Sequence, residues 1–280
     1  ATSGRHCQQQ QAEPHCQSSR PEHGSDYIAH LVRPPTDRGL DATLPHGINN
    51  SRQGITVKKA IIFDFDGVIL DTETPDYESW ADLFEAYNVQ LDLEVWSPLI
   101  GGDVAFSVYQ HLEDLTGIAF DRPKLRKTRH ATYVRMVESN PVLPGVLEYL
   151  ESAARLNLSL AVASSSNGGW AQSHLERLGL IDFFSAVRTA DDVARAKPHP
   201  DVYLAALDAL GVAPADAIAI EDSPTGIAAA KRAGIFCVVV PNPMTRNLPV
   251  EEADIRLESL ADLSLDGLMR QVASTEATGA

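Results

Sequence analysis

The sequence predicts an α/β fold, in which a doubly wound parallel-sheet (Rossmann-like) core carries an inserted all-helical cap domain. Two observations predict this fold. An apolar strand run ends at residue 63, and a long stretch with helical periods but no strong strand run follows it. Short apolar runs then alternate with helical patterns along the second half of the chain. Such alternation is typical of a parallel sheet that helices cover on both faces.

The boundaries of the predicted segments follow changes in composition. The first 56 residues show no apolar period and hold five of the nine histidines, so they are predicted to be disordered. Globular sequence starts abruptly near Val57, and we expect the biological chain to begin close to that residue. The predicted segments are a disordered tail at 1–56, core at 57–73, the helical cap at 74–141, core at 142–273 and a second disordered tail at 274–280.

Apolar spacing places the elements within these segments. Spacings of three and four residues, which indicate one face of a helix, recur in the cap. The cap residues with this spacing are Tyr77, Trp80, Phe84 and Tyr87, then Val104, Val108, Leu112 and Leu115, then a stretch at 125–137. The expected core elements are helices near 145–156, 169–178, 201–210 and 224–233, and strands near 158–163, 185–189, 217–220 and 235–240.

Charge and cysteine usage narrow the function classes. The formal net charge is −15, and the acidic excess lies after residue 56. An acidic body argues against nucleic acid or an anionic membrane as a partner. No apolar run is long enough to span a bilayer. The three cysteines do not make a disulfide framework, so we expect a reducing cytoplasm.

The chemistry is carried by polar residues at the ends of predicted strands. The first strand ends in Asp64 and Asp66, two neighbouring carboxylates that call for a cation or a shared proton. Ser-Ser-Ser-Asn-Gly starts at Ser164 after the second strand, Lys197 precedes a helix, and Glu-Asp at 221–222 ends a later strand. The carboxyl ends of parallel strands meet at one edge of a sheet, where such folds place their sites.

This set of groups suits phosphoryl transfer. A carboxylate can attack phosphorus and form an aspartyl phosphate, and a second carboxylate can protonate the departing oxygen and then activate water. Hydroxyl and N–H groups at a helix N-terminus bind phosphate oxygens, and a lysine offsets their charge. Hard oxygen ligands hold Mg²⁺. The sequence therefore predicts a metal-assisted site for a small phosphorylated metabolite.

With these motifs in order, residues 58–245 resemble the haloacid dehalogenase-like (HAD) superfamily, in the branch with a helical cap after the first strand. The resemblance rests on Asp-Phe-Asp-Gly-Val from Asp64, a serine after an apolar strand, Lys-Pro from Lys197, and Glu-Asp-Ser-Pro-Thr-Gly from Glu221. Each motif is weak alone, but all four at successive strand ends are a specific pattern.

The resemblance implies a role for each matched residue. Asp64 would be the nucleophile and Asp66 the general acid/base. The implied phosphate-binding residues are Ser164, with Ser165 and Asn167 beside it, and Lys197, which neutralises the nucleophile and the phosphate. The implied Mg²⁺ ligands are Asp64, Asp66 through its backbone carbonyl, Glu221 and Asp222.

Within the superfamily, the residues favour a phosphatase that transfers the phosphoryl group of a sugar or cyclitol phosphate to water. A β-phosphoglucomutase-like sugar phosphomutase is the alternative. The cap histidine and arginine of that enzyme would fall at Asp76 and near Val104 or Ala105. No Lys or Arg occurs from Ala60 to Asp121, so this stretch supplies no cation for a second phosphate. A phosphate-ligand-binding regulatory protein without turnover is the third interpretation.

Two further expectations concern the cap and the Ser-rich loop. A basic cluster at 122–135 is interpreted as a solvated helix face, with a second anion contact as the alternative. On the first interpretation the early cap is acidic around the substrate, which suits a neutral polyol or an amine-bearing sugar phosphate. Trp170, beside the Ser-rich loop, could contact substrate, and Trp96 is expected to be buried.

Overall fold

The computed structural model describes residues 58–100 and 107–278. The predictions made for residues 1–56 and for Val104 and Ala105 lie outside the described residues. The strands are β1 at Ala60–Phe63, β2 at Ser159–Ala163, β3 at Ala186–Arg188, β4 at Ala217–Glu221, β5 at Phe236–Val239 and β6 at Ile255–Arg256. They pair in parallel into one six-stranded sheet with the order β3-β2-β1-β4-β5-β6.

Helices form the insertion after β1 and cover the sheet. The α-helices of the described residues are α1 at Glu73–Glu85, α2 at Leu93–Trp96, α3 at Val108–Thr116, α4 at Arg122–Ser139, α5 at Val146–Arg155, α6 at Gly168–Arg177, α7 at Asp201–Leu210, α8 at Pro224–Arg232 and α9 at Leu265–Thr278. None of these helices combines the length and the apolar character needed to cross a membrane. The alternation of strands and helices after the insertion confirms the predicted fold class.

β1 lies in the middle of the sheet because it is apolar on both faces. All four of its residues are fully buried, and it pairs with β2 on one side and β4 on the other. Ile62 is the register partner of Ala161 in β2 and of Ala219 in β4. A strand that is buried on both faces reads as a continuous apolar run, as this one does. The central position places the C-terminal end of β1 between the ends of its neighbours.

Alternate residues of β1 face two hydrophobic cores. On one face, Phe63 shares a core with Tyr149 of α5 and Leu268 of α9. On the other face, Ile62 shares a core with Tyr203 of α7 and with residues of α8. Each large apolar side chain buried in this way contributes about 1.5–3 kcal/mol. The two helical layers therefore hold β1 from both sides and fix the edge of the sheet where it ends.

The cap has a hydrophobic cluster of its own. α1 packs against α4, and Trp80 and Phe84 of α1 share the cluster with Trp96 and Leu112. Trp80 and Phe84 lie on one helix face, as their spacing of four residues predicts. The expected burial of Trp96 is confirmed, since only 5% of the residue is exposed.

The C-terminal helix is longer than the sequence predicts. Residues 274–278, predicted to belong to a disordered tail, are helical because α9 continues to Thr278. The residues that bury one face of this helix are Leu265, Leu268 and Val272. Near its end, Lys58 Nζ donates a hydrogen bond of 2.6 Å to Glu276 Oε1. This anchor comes from the start of the described chain, so no local pattern in the last residues indicates it.

We expect Leu268→Ala to lower the free energy of unfolding by roughly 2–5 kcal/mol, because the side chain is fully buried and its loss leaves a cavity. Arg270→Ala, at an exposed position of the same helix, is the matched control and should change stability by less than about 0.5 kcal/mol. Urea unfolding followed by circular dichroism measures both variants. Equal midpoints for the two would show that α9 does not pack on the core.

Candidate active site

The ends of β1 and β4 bring three carboxylates together. The Asp64 N–H donates to the Ile220 carbonyl over 2.9 Å, so the pairing of the two strands continues past the end of β1. Asp64 therefore lies beside Glu221, the last residue of β4. One carboxylate oxygen from each of Asp64, Glu221 and Asp222 lies within 4.8 Å of the other two, and all three residues are buried. We call this group the carboxylate cluster.

One ammonium group is inserted into the carboxylate cluster. Lys197 Nζ donates to Asp64 Oδ1 and to Glu221 Oε1, each over 2.7 Å. The Tyr203 hydroxyl donates to the same Glu221 oxygen over 2.6 Å. Lys197 and Glu221 are almost completely withdrawn from solvent, so neither charge is screened by water. Removing either partner would leave a buried charge without compensation.

The carboxylate cluster holds more negative charge than its own cation balances. Burial raises the pKa of Asp64 to about 8 although Lys197 opposes the rise. Burial and the neighbouring Asp64 carboxylate raise the pKa of Asp222 well above its usual range. Burial alone would lower the pKa of Lys197, but Asp64 and Glu221 outweigh burial and hold that pKa above its ordinary value. The ammonium therefore stays charged at neutral pH, and the carboxylates need a further cation or a proton.

The chemistry of the carboxylate cluster fits a divalent cation. Carboxylate oxygens are the hard ligands that Mg²⁺ takes in proteins. Gly67 leaves room for the Asp222 carboxylate, because a Cβ at this position would lie 2.5 Å from Asp222 Oδ2. Gly67 also has a φ of +77°. Asn242 Nδ2 donates to Asp222 Oδ2 over 2.7 Å and fixes its position. The glycine of the first motif is therefore required by close approach as well as by its left-handed backbone.

The Asp66 carboxylate accepts its hydrogen bonds from side chains outside the carboxylate cluster. Its Oδ1 accepts hydrogen bonds from Thr72 Oγ1 and Trp170 Nε1, each over 3.0 Å. Its Oδ2 accepts from Ser166 Oγ over 2.7 Å and from Ser164 Oγ over 3.2 Å. The Asp66 carboxylate is thus held outside the carboxylate cluster, and the metal role predicted for this residue concerns its backbone carbonyl only.

The four predicted phosphate-binding residues divide into two groups. Ser165 and Lys197 line one cavity together with Asp64. Ser164 is fully buried behind the cavity, where its hydroxyl bonds to the Asp66 carboxylate. Asn167 caps α6, because its Oδ1 accepts a hydrogen bond of 2.9 Å from the N–H at position 170. The structure therefore brings the first two to the cavity and gives the other two supporting contacts.

The cavity that contains Asp64 lies between the core and the cap. Its volume is about 200 Å³, and we call it the catalytic cavity. Asp64, Asp66 and Lys197 belong to its core side. Residues of its cap side are Glu73, Asp76, Ile100 and Tyr133. A ligand in contact with the strand ends is therefore also in contact with cap residues.

For several residues of the site, the sequence alone does not indicate the role that the structure gives them. Ser166 belongs to the Ser-rich loop, but only the turn after β2 shows that its hydroxyl reaches Asp66. Tyr133 belongs to the apolar pattern of α4, which predicts a core residue, yet it lines the catalytic cavity. Trp170, expected as a possible substrate contact, stacks on Tyr133 at 5.5 Å and donates to Asp66. Glu73 lies shortly after the first motif in the sequence, and this proximity is the one feature that could have indicated its place in the site.

The interpretation of the basic cluster as a solvated face is wrong for Arg129. Its Nη1 donates to Asp76 Oδ1 and, over 2.9 Å, to Ser79 Oγ. The guanidinium also lies over the Trp80 ring, 4.6 Å from the centroid. Only 13% of the side chain is exposed. Helix packing of α1 against α4 creates these contacts, so charge along α4 alone does not reveal them.

The other cations of α4 do not reach the catalytic cavity. Arg126, Lys127 and His130, together with Arg129, line a separate cavity of about 570 Å³ in the cap. Arg122 pairs with Glu113 of α3. Among the described residues that line the catalytic cavity, Lys197 is therefore the one cationic side chain.

Comparison with known proteins identifies the family. A family model described as haloacid dehalogenase-like hydrolase matches residues 61–240. The chain belongs to this family. The resemblance drawn from the four motifs is confirmed, and the matched region runs from β1 through β5.

Proteins named for phosphoryl chemistry resemble the chain over most of its length. The Bacillus subtilis (strain 168) protein YhcW, which is named as a phosphatase, is 45% identical over 207 residues, covering 74% of this chain and 94% of that protein. Validoxylamine A 7′-phosphate phosphatase of Streptomyces hygroscopicus subsp. limoneus is 34% identical over 205 residues, covering 73% of this chain and 95% of that protein. The crystal structure of β-phosphoglucomutase from Clostridium difficile has a TM-score of 0.60 and 26% sequence identity, covering 80% of this chain and 100% of that one. The predicted enzyme class, a HAD-like phosphatase, is confirmed.

The charge of the catalytic cavity makes stability depend on pH through Glu73. Burial, with repulsion from Asp66 next in size, raises the pKa of Glu73 from 4.5 to about 8. A carboxyl pKa that is higher in the folded state lowers the free energy of unfolding as pH rises between the two values. Glu73→Gln lacks this contribution. With EDTA present, we expect its thermal midpoint relative to wild type to be higher at about pH 8.5 than at about pH 5.

Glu78→Gln is the control, because Glu78 is an exposed carboxylate on the same helix. Its thermal midpoint should follow wild type across the same pH range. If the Glu73→Gln and wild-type midpoints ran parallel from about pH 5 to about pH 8.5, the enclosed state of Glu73 would be refuted.

Proposed function

We propose that the protein is a Mg²⁺-dependent phosphatase that hydrolyses a small phosphate monoester, a sugar or cyclitol phosphate, through an aspartyl-phosphate intermediate. The observation that carries this proposal is the position of Asp64. Its carboxylate lines the catalytic cavity. The same carboxylate accepts a hydrogen bond from Lys197 and lies beside the other two members of the carboxylate cluster. A nucleophile, a cation and a candidate metal site therefore share one wall. Relatives named as phosphatases support the type of reaction.

The reaction has two steps that share one phosphoryl group. In the first, the Asp64 carboxylate attacks phosphorus, the ester P–O bond breaks, and Asp66 donates a proton to the departing oxygen. In the second, a water oxygen attacks phosphorus while Asp66 takes its proton. The bond from Asp64 to phosphorus breaks, and inorganic phosphate leaves. Both carboxyl groups line the catalytic cavity, which supports this division of roles.

Lys197 and a divalent cation oppose the repulsion between Asp64 and the phosphate. The ammonium already bonds to Asp64, and its raised pKa keeps it charged at neutral pH. Asp64, Asp222 and the Asp66 carbonyl, with Glu221 direct or through water, would hold Mg²⁺. The bound ion would supply positive charge opposite the transferring phosphoryl group.

The hydroxyls of the Ser-rich loop complete the phosphate site. Ser165 is exposed to the catalytic cavity and would donate to a phosphate oxygen. Ser164 acts through Asp66, whose carboxylate it orients together with Ser166 and Thr72. Orientation matters because a general acid must be within hydrogen-bond reach of the oxygen that it protonates. Cap residues over the same cavity would exclude bulk water once substrate is bound.

The alternatives are less well supported by the catalytic cavity. A sugar phosphomutase must hold a second phosphate, but among the described lining residues only Lys197 is cationic. The position that would carry the mutase histidine holds Asp76, which pairs with Arg129. A regulatory protein without turnover would not need the nucleophile, the acid/base and the cluster together.

The proposed partner is a small phosphorylated metabolite in a reducing compartment, the cytoplasm. Cys237 is a buried free thiol in β5, which fits that compartment. The net charge of −15 opposes binding to nucleic acid or to an anionic membrane.

Release of inorganic phosphate from p-nitrophenyl phosphate tests the proposed function. We expect wild-type activity with Mg²⁺ and none with EDTA. Asp64→Asn should lower kcat by roughly 10³-fold or more, because the amide oxygen is a poor nucleophile. Asp222→Asn should raise the Mg²⁺ concentration at half-maximal rate by roughly tenfold or more.

Asp208→Asn is the matched control, because it changes an exposed carboxylate near the end of α7 that does not line the catalytic cavity. It should retain the wild-type rate. A wild type that binds sugar phosphates but releases no phosphate would favour the regulatory alternative. Formation of glucose 6-phosphate from glucose 1-phosphate, dependent on a bisphosphate activator, would favour the mutase.

A further inference from the structure

The catalytic cavity contains a cap feature that the reaction steps above do not use. We propose that Asp76, oriented by Arg129, determines specificity by accepting hydrogen bonds from hydroxyls of the leaving group and rejecting a leaving group with a second phosphate. The substrate class is therefore a hydroxyl-rich monoester with one phosphate. This inference rests on the proposed phosphatase function.

Asp76 is placed to read the part of the substrate that is not transferred. It lies in the first turn of α1 and lines the catalytic cavity, whose other side is formed by Asp64 and Lys197. A phosphate held at the strand ends therefore leaves its alcohol portion among cap residues. Tyr133 and Ile100 line the same side, so Asp76 offers hydrogen-bond acceptors next to apolar surface. This mixture is typical of sites for small polar ligands.

One carboxylate oxygen of Asp76 is occupied and the other is free for a ligand. Oδ1 accepts the hydrogen bond from Arg129 Nη1. Within residues 58–100 and 107–278, no hydrogen bond to Oδ2 accompanies it. The side chain is 31% exposed and lines the catalytic cavity, so a ligand there can reach the carboxylate. An ionised carboxylate only accepts hydrogen bonds, and hydroxyls are the matching donors.

Arg129 fixes the orientation of that acceptor. Arg129 Nη1 donates to Asp76 and to Ser79 Oγ, and the guanidinium lies over the rings of Trp80 and Tyr133, 4.6 and 5.7 Å from their centroids. Its buried Nε has no hydrogen-bond partner among the described residues. A planar guanidinium held by two hydrogen bonds and two rings has little freedom to rotate. Arg129 pairs with Asp76 and lines the separate cap cavity rather than the catalytic cavity, so it does not face a second phosphate there. We treat Arg129 as a positioning residue for this reason.

The surrounding charge acts against a second anion. Glu73 and Asp76 are both carboxylates on the cap side, while Lys197 already bonds to Asp64 and Glu221. The cations of α4 that a bisphosphate could use face the separate cap cavity. Near neutral pH a phosphate monoester is mostly a dianion, so its contact with the Asp76 carboxylate would be repulsive.

Inhibition by a matched pair of ligands tests this inference. Glucose 6-phosphate and glucose 1,6-bisphosphate differ by one phosphate, and each can be measured as a competitor of p-nitrophenyl phosphate hydrolysis with Mg²⁺ present. For wild type we expect an inhibition constant at least about tenfold lower for the monophosphate. Asp76→Asn keeps the shape but removes the charge, so the ratio should fall to about threefold or less.

A second variant and two controls keep the result interpretable. Arg129→Met should weaken the monophosphate at least about fivefold, because Asp76 is no longer oriented, while the bisphosphate remains excluded. Asp76→Ser removes the same charge with a smaller side chain and should lower the ratio in the same way. It takes the place of Asp76→Asn if Asp76→Asn folds poorly. Glu113→Gln breaks the carboxylate–guanidinium pair with Arg122 elsewhere in the cap and should keep the wild-type ratio. Thermal unfolding confirms that each variant is folded.

The outcomes separate this inference from the proposed function. Wild-type turnover of p-nitrophenyl phosphate with an inhibition ratio that Asp76→Asn and Asp76→Ser leave unchanged would overturn the role of Asp76 alone. Tighter wild-type binding of the bisphosphate would do the same. Absence of turnover under all conditions would overturn both proposals.

Discussion

The site depends on one ammonium group placed among buried carboxylates. Lys197 bonds to Asp64 and Glu221 at 2.7 Å, and this contact holds two strand ends and one loop in a single arrangement. Like charges at such distances would otherwise separate or take up protons. The parallel pairing of β1 with β4 forces Asp64 and Glu221 together, so the fold imposes the repulsion that the cation must relieve. Apolar residues often serve stability as well as a buried ion pair does, so the proposed chemistry accounts for this arrangement better than stability does.

The core could be predicted from sequence because its signals are local. Apolar runs mark the strands, and parallel pairing then aligns their ends, so Asp64 and Asp222 could be placed at one site from strand order. Lys197 lies in the loop between β3 and α7, and only the family resemblance predicted its place in the site. The choice among hydroxyls could not be predicted. Ser164 faces Asp66 while Ser165 faces the catalytic cavity, and this difference comes from the turn after β2. The end of α9 escaped prediction for a related reason, because its anchor is at the opposite end of the described chain.

The cap is harder to predict because its chemistry arises where helices meet. Arg129 and Asp76 are 53 residues apart, and neither is unusual in its own helix. Along α4, Arg129 is one cation among several, which is why a solvated face is the natural interpretation. Packing of α1 against α4 selects it from the others by adding a carboxylate, a hydroxyl and an aromatic face. Charge patterns along one helix carry no information about that selection.

The two halves of the catalytic cavity therefore solve different electrostatic problems. On the proposed function, the core side would bind a phosphate, and its excess of carboxylates would be useful only with a cation bound among them. On the proposed specificity, the cap side would bind the hydroxyls of the alcohol through Asp76, and the negative charge of Asp76 and Glu73 would oppose a second anion. A cation at the position of Asp76 would instead favour a second anion on this side of the cavity.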